Sequence, residues 1–145
     1  MYLVDTNVIS ESRKGAKAAP AVMDFLRRTE GQLFLPVQVV GELESGVEIL
    51  RHRGDMQQAQ RLESWVEAVL DDYSSRILSF DAHSAKIWGV LRGVSTQNLI
   101  DKQIAAIAIQ YGMTVATRNT IHFADTGVPL FNPFLPSPSG EMPLP

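Results

Sequence analysis

Short apolar runs that each lead into a turn and then a helical stripe constrain this chain more than any other feature. Tyr2-Leu3-Val4 breaks at Asp5-Thr6-Asn7, a turn and helix-start signal. Residues 32–35 read as a second strand, followed by Pro36 and a stripe of Val40, Leu43, Val47 and Leu50 spaced 3, 4 and 3. Pro36 suits the first turn of that helix, where a missing N–H costs little. Residues 77–80, 113–116 and 128–131 read as the third, fourth and a short fifth strand. Between them lie helical patterns at 21–28, after Gly54-Asp55, after Asp81, and from Asp101 to a stop at Gly112. Strands alternating with helices predict an α/β domain with a mostly parallel sheet of four or five strands.

The chain has 145 residues, enough for one domain with a real core. No apolar run is long enough to span a membrane, and the N-terminus lacks the pattern of a secretory signal, so a cytoplasmic location is expected. With no cysteine there are no disulfides, thiolate zinc sites or cysteine nucleophiles. A net charge of −3 disfavours binding nucleic acid through a broad basic face. An acidic site that approaches a phosphodiester through a metal ion remains compatible with it.

Asp5, Glu42 and Asp101 stand at the edges of apolar segments, where a carboxylate is costly unless paired, hydrogen-bonded or metal-bound. Together they point to one acidic pocket for a divalent cation. Ligands of parallel sheets sit beyond the carboxyl ends of the strands. Asp5 follows strand one and Thr117-Arg118-Asn119 follows strand four, so both belong on that edge. Magnesium takes hard oxygen ligands and keeps several waters, so two or three carboxylates suffice. Such an ion activates water and offsets phosphodiester charge. Gly46, one turn after Glu42, leaves room for an incoming group.

The runs Asp5-Thr6-Asn7-Val8-Ile9-Ser10-Glu11, Gly41-Glu42-Leu43-Glu44-Ser45-Gly46-Val47, Asp101-Lys102-Gln103-Ile104-Ala105-Ala106 and Ala116-Thr117-Arg118-Asn119 resemble the PIN domain. The match is to the VapC/FitB-type toxins of bacterial type II toxin–antitoxin systems, over residues 1–133. The resemblance implies a PIN-like three-layer fold and an endoribonuclease that cuts RNA with a magnesium-activated water, manganese being an acceptable substitute. It assigns Asp5, Glu42 and Asp101 to the catalytic, metal-binding places, and Asn7, Thr117, Asn119 and His122 to the accessory pocket. His122 stands where the family commonly has a fourth acid, in the run Thr117-Arg118-Asn119-Thr120-Ile121-His122-Phe123. Imidazole is a poor magnesium ligand, so one metal is expected rather than two. Asp125, in a turn-like run, is a weaker substitute. The resemblance also implies a cognate antitoxin protein, a homodimer, and a higher assembly with DNA bound through the antitoxin.

Each residue has a plainer reading. Asp5 could cap a helix, Glu42 could be a solvated helix residue, and Asp101 could stabilise its own helix N-terminus. Four motifs in register outweigh these. Trp65 and Trp88 read as core residues rather than base-stacking platforms, and His52 and His83 as surface residues. Arg13, Lys14 and Lys17 form a basic cluster, with Arg13 and Lys14 candidates for RNA backbone contact; Arg51 and Arg53 read as surface or antitoxin contacts. Residues 134–145, rich in proline, are expected to be a mobile or partner-bound tail. A haloacid-dehalogenase phosphatase would need an acid where Asn7 stands, and a phospho-receiver would need paired acids after strand one. The serious rival is a PIN domain without activity that binds RNA or protein.

Overall fold

A computed structural model of the protein describes residues 1–136; residues 137–145, most of the expected tail, lie outside the described residues. Five strands, β1 (Tyr2–Val4), β2 (Leu33–Pro36), β3 (Ile77–Leu78), β4 (Thr114–Ala116) and β5 (Leu130–Phe131), form one sheet in the order β3-β2-β1-β4-β5. Every pairing is parallel. Six α-helices connect them: α1 (Thr6–Glu11), α2 (Pro20–Arg28), α3 (Val37–His52), α4 (Met56–Asp72), α5 (Ala82–Val94) and α6 (Leu99–Tyr111). β1 coincides with its apolar run and β2 is shifted by one residue, whereas β3, β4 and β5 are shorter than the runs that signal them. Pro36 closes β2 and caps α3 from outside, with extended backbone at φ −74° and ψ 148°, rather than lying in the first turn.

Side chains alternate across the sheet, as a period of two requires. Tyr2, Val4, Leu33 and Leu35 enter one core with α1 to α4, while Leu3, Val115 and Phe34 enter the other with α5 and α6. The result is three layers, helices on both faces of a parallel sheet. α6 carries the run Ile104, Ala105, Ala106, Ile107 and Ala108, all fully buried. Gly112 ends it at φ 64°, a left-handed C-cap that glycine adopts without strain. Asp81 caps α5 with a reciprocal Ser84 capping box.

From β1 the chain winds one way to β2 and β3, and later returns to the other side of β1 as β4 and β5. The switch point therefore lies between the carboxyl ends of β1 and β4, where parallel α/β sheets open a crevice. Asp5 and Thr117 are the first residues beyond those two ends.

Candidate functional site

Asp5 is buried, at 5% exposure, and both of its carboxylate oxygens accept hydrogen bonds. Oδ1 accepts from the Thr6 N–H at 2.8 Å, so the residue does cap α1. Oδ2 accepts from the Thr117 hydroxyl at 2.8 Å and from Asn7 Nδ2 at 3.2 Å. Asn7 also reaches across the crevice, where its Oδ1 accepts the Arg118 N–H at 3.0 Å. Thr117 Oγ1 in turn accepts the Asn119 N–H at 3.0 Å. These bonds lock the loop after β4 onto the loop after β1, with Asp5 as the hub. Asn7 and Thr117 thus brace the pocket through side chains. Asn119 does so through its backbone.

Glu42 comes from α3 in one helical layer and Asp101 from the first turn of α6 in the other. Glu42 is exposed overall on α3, yet its carboxylate turns to accept a hydrogen bond from the Thr6 hydroxyl. Partial desolvation raises the Glu42 carboxyl above its usual range; the Thr6 bond opposes this, and the charges of Asp5 and Asp101 add to it. Asp101 is raised as well, first by desolvation and then by Asp5, against the lowering influence of His122 and Lys102. Glu42 therefore senses the charges of Asp5 and Asp101, and Asp101 senses that of Asp5.

His122 places Nδ1 at 3.2 Å from Asp101 Oδ2, an ion pair when the imidazole is protonated. The replaced acid position still faces the cluster. Asp125 turns elsewhere and pairs with Lys102 at 3.2 Å. Lys102 was not singled out by pattern, because a lysine beside Asp101 reads as surface; it is completely buried, with Nζ also donating to the Gln97 carbonyl. Thr6 and Glu11 were likewise missed as site residues. Glu11 is buried, accepts the Ala19 N–H at 2.9 Å and pairs with Lys14 at 2.7 Å. The Lys14 bond leads the contacts that hold the Glu11 carboxyl below its usual range.

Lys14 is therefore partly neutralised, whereas Arg13 and Lys14 both still line a cavity of about 350 Å³ next to Glu42. Gly46 lines it too, yet a methyl group there would meet Leu62 Cδ2 at an ordinary 3.5 Å, so the glycine is not required for the space. Trp65, expected in the core, is only half-buried and forms part of the same wall. Trp88 is also half-buried, with its indole N–H on the Leu99 carbonyl at 3.2 Å. Arg51 is held between Glu48 and Glu63 rather than standing free.

The donor set is all hard oxygen, which suits magnesium or manganese and not a soft metal. Among the described residues no group of three His, Asp or Glu side chains is placed so that it could hold a metal ion.

The PIN domain family model matches residues 2–128. The chain belongs to the PIN domain family. Its relatives include Toxin FitB of Neisseria gonorrhoeae, 33% identical over 92% of this chain and 99% of that protein. Another is the VapC ribonuclease Y4jK of Sinorhizobium fredii, 32% identical over 94% of this chain and 100% of that one. A solved structure described as FitAB bound to an IR36 DNA fragment superposes on this PIN domain with a TM-score of 0.84, at 31% identity over 94% of this chain and 98% of the other. Among the described residues no helix of the domain is long and apolar enough to cross a membrane.

Proposed function

We propose that this PIN domain is a magnesium-dependent endoribonuclease and the toxin of a toxin–antitoxin pair. The observation that carries the reading is the approach of three carboxylates at the switch point of the sheet: Thr6 links Asp5 and Glu42 by donating its N–H to one and its hydroxyl to the other, and Asp101 enters from the first turn of α6. The likeness to a protein named a VapC ribonuclease supports the activity, and the likeness to FitB supports the toxin role.

Asp5, Asp101 and Glu42 would hold the ion, which when bound would offset phosphodiester charge and lower the pKa of a water. The chain's own part is positional. Thr117, Asn7 and the Thr6 N–H fix the Asp5 carboxylate, so little reorganisation is needed when substrate arrives. Arg13 and Lys14 would meet the RNA backbone. Manganese would substitute for magnesium.

The partners follow from the same likeness: a cognate antitoxin protein, a second copy of this chain as a homodimer, and a higher assembly with DNA bound through the antitoxin. A cytoplasmic location accords with RNA as substrate. The rival reading, a binding module without activity, draws on His122 in place of the fourth acid.

The products of cleavage test the chemistry. Attack by water leaves RNA ends without a 2′,3′-cyclic phosphate; attack by the neighbouring ribose 2′-hydroxyl leaves one. End analysis of a labelled single-stranded RNA is expected to show no cyclic phosphate. Cyclic ends would overturn the proposed role of water.

A further inference from the structure

We infer that the cavity beside Glu42 is a nucleobase subsite, with Trp65 as its stacking platform, for one unpaired base next to the phosphate that is cut. The inference rests on the ribonuclease reading of the same site. Trp65 packs its inner part against the core of α1 to α4 yet is only half-buried, and with Leu62 it forms one wall of the 350 Å³ cavity. Thr6, Arg13, Lys14 and Glu42 line the same cavity. An aromatic and apolar lining that also carries Arg13 and Lys14 matches a nucleotide, whose base is flat and apolar on its faces and whose phosphate is anionic. A purely apolar peptide would leave these charged groups unmatched, and a bare phosphate would leave Trp65 and Leu62 uncovered.

Glu42 ties the cavity to the chemistry. It lines the cavity and is coupled to Asp5 and Asp101, so a base seated on Trp65 would stand one residue's reach from the carboxylates. Stacking tolerates every base because each has a π-face, while the depth of the wall discriminates by size. Trp65 thereby acts as a specificity-determining residue rather than as a catalytic one. Single-stranded RNA is favoured, since a paired base could not leave its stack without cost.

The full chain carrying Asp5→Asn and Trp88→Phe leaves Trp65 as the sole indole and prevents cleavage during the measurement. Titration with a single-stranded RNA hexamer in magnesium is expected to quench Trp65 fluorescence, and a hexamer with abasic ribose is expected to bind about tenfold more weakly. Trp65→Ala, read by anisotropy of a labelled hexamer, is expected to lose about tenfold in affinity, and Trp65→Phe much less. The phenylalanine variant keeps the core packed, so its recovery separates stacking from folding. Equal binding of the two hexamers, or full affinity in a folded Trp65→Ala, would overturn the subsite. Quenching by a protein segment but by neither hexamer would overturn it too. Failure of the nuclease reading is distinguishable: base-dependent binding would persist in a protein that cuts nothing, whereas cleavage insensitive to Trp65 would spare the nuclease and sink the subsite.

Discussion

Thr117 shows how a side chain that binds nothing foreign can govern a site. Its hydroxyl donates to Asp5 Oδ2 and accepts from the Asn119 N–H, so Thr117→Val removes both anchors with little change in volume. Partners of this kind are worth about 10- to 100-fold in metal affinity or activity. We expect losses in that range in magnesium titration, with the fold retained; an unaltered affinity would show that Asp5 needs no brace. His122→Asp should tighten magnesium binding by restoring an acid beside Asp101, and a titration without gain would contradict it. The raised Asp101 carboxyl gives a third expectation. A group that holds its proton more tightly when folded adds stability below its ordinary pKa, and that stability is lost as pH rises through the raised value. Without magnesium, the Tm of the wild type relative to Asp101→Asn should therefore fall as pH rises from about 4 to about 6. A relative rise would reverse the assigned sign. The apolar neighbours of Asp5, Glu42 and Asp101 mark these three out in the sequence, and the fold brings them within electrostatic reach. The burial of Lys102 is not legible in the same way, because nothing local distinguishes a lysine that finds a carbonyl and Asp125 inside the protein from one in solvent.

Helices read more truly than strands. The stripe of α4, the Asp81 cap of α5 and the Gly112 stop of α6 sit where local rules put them; on α3 the core stripe is Val39, Leu43, Val47 and Leu50, with Val39 in place of the expected Val40. Strand ends differ because pairing, which is non-local, decides where each stops: β3 keeps only Ile77 and Leu78, the stretch opposite Leu35 and Pro36. Trp65 packs against the core as its stripe predicts but is incompletely covered, for a related reason. A stripe specifies which face turns inward, and the depth to which the neighbouring helix covers it depends on α1 and α3. Two expectations belong at this scale. Ile107, fully buried on α6, should cost about 2–5 kcal/mol on truncation to alanine, measured by urea unfolding. Gly46→Ala should stabilise α3 by about 0.4–1 kcal/mol, since the methyl meets Leu62 at 3.5 Å without overlap. A destabilised Gly46→Ala would mean that the wall formed by α4 is less yielding than this contact implies.

For the whole molecule, the parallel order β3-β2-β1-β4-β5 brings three carboxylates distant in sequence within electrostatic reach of one another. Glu42 arrives from the layer on one face of the sheet, Asp101 from the other, and Asp5 from the central strand between them. The layer architecture was readable from alternation alone. The strand order was not, because short parallel strands joined by helices leave several orders open. The central claim is that this convergence holds a magnesium ion that supports RNA cleavage. It is tested most directly by incubating total cellular RNA with the purified, antitoxin-free chain in magnesium, in manganese or in EDTA, beside Asp5→Asn. Cutting in either metal that disappears in EDTA and in the variant is the predicted result. Cutting that survives EDTA, or that Asp5→Asn performs as well as the wild type, would contradict it.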